Sequence, residues 1–226
     1  MIEQRFRRDY DGEFVITETR WSGGKKIQNR EWVPNPIENQ HISGRAACII
    51  SDYDKYNTDQ NAFDYRWLQR HRGGLLGSKK LQTYGVGPIT QEMRLDFAVD
   101  TRPEILAEIK ARKYQENNVV YTSTRQCLLN PGEFYLVPFN PLLSVEALPL
   151  YLACFDGHKE IFVLGANKDT PASNSAWVDH LCHVMDAYKD SMFYMIGVRK
   201  NMPTVWFERP NVSSMNYREW RFFCDI

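Results

Sequence analysis

The sequence predicts an α/β fold: a mainly parallel sheet with helices on both faces, preceded by an N-terminal β-hairpin. Three observations carry this. Apolar runs without alternation, RAACII at Arg45 to Ile50 and IFVLG at Ile161 to Gly165, suit strands buried on both faces. Stretches with helical spacing fall between such runs, which is the strand–helix–strand order of a parallel sheet. Finally, Glu13 to Val33 alternates on either side of Gly23-Gly24, as a hairpin does.

Taking the chain in order, Glu13 to Trp21 and Lys26 to Val33 are the hairpin strands, and Pro34 and Pro36 end the second. Residues 1–40 are read as this hairpin extension and 41–226 as a single domain. Arg45 to Ile50 is the first buried strand. The Asp- and Asn-rich stretch after it is a loop, and Ala62 to His71 a short helix with Phe63 and Trp67 inward. Leu81 to Tyr84 and Asp96 to Asp100 are short strands. Thr101-Arg102-Pro103-Glu104 opens a helix, with proline in its first turn and Thr101 and Glu104 spaced as a capping box. Val119 to Thr122 is the next strand. Glu133 to Phe139 is another, placed near an edge because Pro138 lacks an amide hydrogen.

Ser144 to Phe155 reads as a helix, although Pro149 falls inside it, where proline costs about 3 kcal/mol. Glu160 to Gly165 is the strand around which the sheet is organised. Trp177, Leu181, Val184, Met185 and Tyr188 then follow helical spacing. Ser191 to Val198 is a strand, and EWRFFCDI adds a strand or a packed tail.

With 28 basic and 28 acidic residues the net charge is zero, which excludes a general polyanion binder and leaves room only for local patches. The five cysteines are odd in number and form no CxxC pair, so reduced buried thiols are expected. MIEQRFRRDY has no apolar core, so no signal peptide is expected, and no run reaches the ~20 apolar residues of a membrane helix. Arg5, Phe6, Arg7 and Arg8 form a small basic aromatic patch. Without a broad basic footprint, nucleic acid is not an expected partner.

In open α/β sheets ligands bind beyond the C-terminal ends of the strands. The candidate site residues therefore sit where strands end: Ser51, Asp52 and Asp54 after the first, Asp100 after the third, and Gly165 and Asn167 after the central one. Asp52 or Asp54 either contacts a ribose or metal or simply makes a turn. Asp100 either faces a ligand or caps the following helix. The glycine-rich stretch from His71 to Gly87, with Arg72, Lys79 and Lys80, is either an anion-binding loop or a solvated turn, and it matches neither phosphate-loop pattern. His180 and His183 are three apart on one helix and off its apolar side, and no third ligand accompanies them. No metal site is expected, and both are read as solvated. His158 is a turn residue or a base. No GxSxG, Cys–His or HExxH signature is present.

The order RAACIIS, a long loop, LQTYGVG, LDFAVDTRPEI and VVYTS resembles a Rossmann-like protein family of T4-like phages of marine cyanobacteria, one that carries no assigned activity. The likeness extends over most of the chain, including HRGGLLGSKKLQTYG and YLACFDGHKEIFVLG. Residues 44–125 are also remotely similar to the group of pterin-pyrophosphokinase-like proteins and family 42 sialyltransferases. There the first strand ends in a Gly-Asn-Gly-Pro-Ser loop that contacts a nucleotide phosphate or nucleotide sugar, and a later strand ends in an acid, the position of Asp100 here. This chain has Ile50-Ser51-Asp52-Tyr53-Asp54 instead. The glycines are gone, and at ~4 Å an aspartate repels a phosphate by on the order of a few kcal/mol.

The resemblance implies a phage-encoded, Rossmann-like accessory protein with a degenerate nucleotide or nucleotide-sugar crevice and weak or no catalysis. The expected crevice is lined by Ser51, Asp52, Asp100, Gly165 and Asn167, with Arg72 and Lys79 offering charge. The alternative is a structural or interaction protein that binds phage or host proteins. Either way the place of action is the cytoplasm of the infected host cell or the virion. No cofactor and no catalytic residue is named by the sequence.

Overall fold

The computed structural model describes residues 12–34, 45–51, 65–71, 81–139, 141–167 and 176–224. Strands β1 (Gly12–Ser22) and β2 (Lys25–Pro34) pair antiparallel, with one bulge between Ile16 and Glu18. Gly23 and Gly24 join them with φ of +57° and +76°. Two successive left-handed residues give the turn whose twist matches the flanking strands, which is what the glycines are for.

The main sheet contains β3 (Arg45–Ile49), β4 (Gln82–Val86), β5 (Phe97–Val99), β6 (Val119–Thr122), β7 (Tyr135–Leu136), β8 (Glu160–Leu164), β9 (Met192–Ile196) and β10 (Val212–Met215). Their spatial order is β10-β9-β8-β3-β4-β5-β6-β7, and every pairing is parallel. The fold is thus α/β and Rossmann-like. From β3 the chain builds outward to β7, then returns to the other side of β3 as β8. The direction of winding reverses between β3 and β8, and the C-terminal ends at such a reversal are where open α/β sheets usually receive ligands.

Helices cover both faces: α1 (Tyr65–His71), α2 (Pro103–Ala111), α3 (Thr124–Leu129), α4 (Leu148–Phe155), α5 (Trp177–Ala187) and α6 (Tyr217–Cys224). Strand alternation divides the core in two. Cys48, Tyr84, Phe97, Val163 and Phe193 pack with Leu148 and Leu152 of α4 and with Leu181 and Met185 of α5. Ile49, Ala98, Val120, Phe162 and Leu164 pack with Leu68, Leu106, Cys127 and Trp220 on the opposite face. The central strands β3, β5 and β8 are largely apolar on both sides because each side meets helices.

Three expectations change, and one open alternative is decided. The strand at Glu133 to Phe139 is only Tyr135–Leu136 long, since Pro138 cannot donate and Phe139 turns to φ +56°. Pro149 does not interrupt a helix: a 3-10 turn at Val145–Ala147 precedes α4, and the proline falls in α4's first turn, where its missing N–H costs nothing. The Thr101–Glu104 capping box is absent, because α2 begins one residue later with Arg102 at the N-cap and no side-chain cap bond. Of the two readings of the C-terminal tail, the packed tail is realised, as a helix capped reciprocally: the Glu219 amide donates to Asn216 Oδ1 and the Asn216 amide to Glu219 Oε2, both at 2.9 Å. Its Trp220 is fully buried against the edge of Trp67, with ring centroids 4.9 Å apart. Helix α3 was not foreseen; six residues are too few to display a period.

Candidate functional site

At the reversal point, β3 and β8 deliver Ser51 and Gly165 side by side. The Ile50 amide donates to the Leu164 carbonyl at 3.0 Å, and the Ser51 hydroxyl to the Gly165 carbonyl at 3.0 Å. The Asn167 amide donates to the same Gly165 carbonyl at 3.1 Å. Gly165 has φ +77°, and a β-carbon there would stand 2.5 Å from the Ser51 carbonyl oxygen. Only glycine permits this approach. Three of the predicted residues, Ser51, Gly165 and Asn167, are therefore one hydrogen-bonded unit at the C-terminal ends of β3 and β8.

Asp100 lies at the end of β5, with β4 between it and β3. At the usual spacing of neighbouring strands that is about 10 Å from this unit. Its carboxylate is fully buried and holds four donors: the Gly87 amide (3.1 Å), the Arg102 amide (3.0 Å), Arg102 Nε (2.9 Å) and Arg102 Nη2 (2.6 Å). It ties the 3-10 turn Gly87–Gln91 after β4 to the start of α2. Gly87 is needed here, since a β-carbon would stand 2.8 Å from Asp100 Oδ2. Of the two roles open to Asp100 in the sequence, bracing the helix entry is realised: a carboxylate accepts about four hydrogen bonds, and all four are made.

Sequence reasoning missed the two residues beside it. Arg102 has its side chain 31% exposed, and bonds to Asp100, aided by the fields of Asp100, Glu146 and Glu104, hold its guanidinium above the ordinary value against the opposing effect of burial. Glu146, only 3% exposed on the turn before α4, is another buried acid. The one available signal for Arg102 was its place two residues after a strand-ending acid, the spacing of a local carboxylate–guanidinium fork. Thr122 at the end of β6 and Ser144 before α4 are also buried, and their hydroxyls have no hydrogen-bond partner among the described residues.

His158 belongs to the opposite end of the sheet. It is fully buried just before β8, with Nε2 3.0 Å from the Tyr84 hydroxyl, which itself donates to Asp156 Oδ2 at 2.6 Å. The phenol has one proton and gives it to the carboxylate, which leaves its oxygen to accept from His158 Nε2. Being away from the strand C-terminal ends, this network braces α4 against β4 and β8. His180 is likewise no solvated residue: it is half-buried, and its Nδ1 accepts the Ser144 amide at 2.8 Å, tying α5 to the turn before α4. His183 is exposed as expected. Among the described residues no group of three His, Cys, Asp or Glu side chains is placed to hold a metal ion. All five cysteines are buried and free, and burial pushes the Cys48, Cys127, Cys154 and Cys182 thiols up.

Asp52, Asp54, Arg72, Lys79, Lys80 and the Arg5–Arg8 patch lie outside the described residues. Among the described residues no helix is long and apolar enough to cross a membrane. Compared with family models, with curated proteins and with solved structures, the chain matches none.

Proposed function

We propose that this chain is a phage-encoded accessory protein that binds a nucleotide or nucleotide sugar at the reversal point of its sheet, with weak or no catalysis. The observation that carries the reading is the joint placement of Ser51 and Gly165 at the C-terminal ends of β3 and β8, where open parallel sheets receive ligands. Two buried hydroxyls without partners among the described residues, Thr122 and Ser144, add polar groups near that end. Arg102, fixed by Asp100 and one-third exposed, is the described cation best placed to meet an anionic group. Asp100 itself acts as a strut, because its acceptor sites are already filled.

Thermal shift against a panel of nucleoside mono- and diphosphates and nucleotide sugars tests this. A ligand present at about 100 times its dissociation constant adds about 2.7 kcal/mol of stability. No shift across the panel overturns the reading. A second reading, an interaction protein for phage or host partners, is favoured by the exposure of Phe139 and Leu142, three positions apart in the chain and each 82% accessible. It predicts co-purification with a partner protein that is lost in Phe139→Ser with Leu142→Ser.

A further inference from the structure

The tip of the N-terminal hairpin concentrates charge that the whole-chain balance conceals. Thr19 to Arg30 contains four basic residues and no acid, in a chain whose net charge is zero. Residues 19–26 are all exposed, and Trp21 at the end of β1 is 72% accessible. Among the described residues Arg20, Lys25 and Lys26 form no ion pair. Four cations of the main domain are paired by contrast: Arg45 with Glu160, Arg102 with Asp100, Lys110 with Glu133 and Arg209 with Asp186. The indole of Trp21 has no ring or cation stacked on it among the described residues.

The register places these groups. Trp21 stands opposite Lys26, and Ser22 opposite Lys25, so Trp21 and Lys26 share one face of the ribbon while Arg20 and Lys25 share the other. The ribbon is one layer thick, and long arginine and lysine side chains reach around its end. An unpaired indole beside a lysine, with two more cations behind, is the arrangement that single-stranded nucleic acid binders use: a base stacks on the ring and the phosphates flanking it are neutralised.

We propose that the hairpin tip, through Trp21, Arg20, Lys25 and Lys26, binds single-stranded nucleic acid. A duplex fits less well, because the faces of paired bases are already stacked. A membrane surface fits less well too, because Trp21 is the only apolar side chain among residues 19–26 and its neighbours Ser22, Gly23 and Gly24 offer nothing to the acyl region. This site is separate from the crevice and does not depend on a ligand there.

The test is fluorescence anisotropy of a labelled oligo-dT of about 20 nucleotides with the full chain. Three neutralised phosphates predict a slope of log K against log salt of about −2, a loss of roughly sixteen-fold between about 50 and 200 mM NaCl. Trp21→Ala is expected to weaken binding about five-fold or more by removing the stack. Lys25→Glu with Lys26→Glu is expected to flatten the slope to about −0.7 or shallower. Lys200→Glu, an exposed lysine elsewhere, is expected to leave both unchanged. These positions are solvent-exposed, so the variants keep the wild-type circular dichroism. Absence of binding at the lower salt, or binding that tip variants leave unchanged, overturns the proposal. So does Trp21-dependent capture of phosphatidylserine vesicles that oligo-dT does not compete with, or stronger binding to a duplex of equal length.

Discussion

Replacing Arg102 with alanine removes two of the four donors that hold Asp100, and both are the charged ones. The carboxylate is fully buried, whereas the arginine side chain is 31% exposed, so the two partners are not equivalent. Breaking a buried pair from one side costs about 3–5 kcal/mol, mostly through the charge left behind. Here water enters from the guanidinium side, which places the expected loss at the low end, about 3 kcal/mol. For a chain of this size that is about 6–12 °C in Tm. Asp100→Asn should cost less, because the arginine it releases can turn to solvent. Urea unfolding of the wild type, both single variants and the double variant gives the coupling energy directly. The wild-type value should hold in about 1 M NaCl, where exposed pairs are screened. If Arg102→Ala costs under about 1 kcal/mol, the range of surface pairs, then Asp100 is no strut and the account of the β5 end fails.

Gly165→Ala combines a left-handed backbone with a β-carbon 2.5 Å from the Ser51 carbonyl, and should lower stability by at least about 2 kcal/mol in the same urea assay. Tyr84→Phe keeps the stacking on Phe97 but deletes the hydroxyl that serves Asp156 and His158; a loss of about 1.5–3 kcal/mol is expected, and no loss would show the network to be incidental. Because burial raises the Cys48 and Cys154 thiols above their unfolded value, the folded state holds those protons more tightly. Their contribution is complete below the unfolded value of about 8.5 and is lost as pH rises from there through the folded value, so urea midpoints should fall as pH rises above about 8.5, less so in Cys48→Ala with Cys154→Ala. The hydrogen bond from Arg209, with its charge, holds the exposed Asp186 carboxyl below its ordinary range. The small stability it adds is present above the unfolded value of about 3.9 and fades as pH falls through the folded one. An NMR titration of Asp186 that does not move upward in Arg209→Ala would refute that tie.

Much of the fold is local and therefore legible in the chain. Ile161 to Leu164 is apolar at every position because helices cover both faces, and that alone marks a strand inside a parallel sheet. Gly23-Gly24 announces its turn because few other pairs tolerate two positive φ angles. The placement of Ser51 and Gly165 at strand ends was legible for the same reason. Helix α3 was hidden by its length, and the length of β7 by backbone geometry at Phe139, which no side-chain pattern reports.

The site divides along the same line. Sequence by itself determined which residues end strands, and so named Ser51, Asp100 and Gly165. Only the tertiary structure decided what each does there. Whether β8 lies beside β3 is a matter of strand order, and that order makes Ser51 and Gly165 neighbours across 114 residues of sequence. Whether Asp100 faces a ligand or an arginine depends on where α2 begins, and a one-residue delay in that start put Arg102 within its reach. The same holds for His158, which local spacing reads as a turn and which the packing of α4 on β4 makes a buried partner of Tyr84. Propensity and burial pattern act over a few residues, whereas hydrogen-bond partners are chosen by which elements pack together, and that choice is made only once the whole sheet has formed.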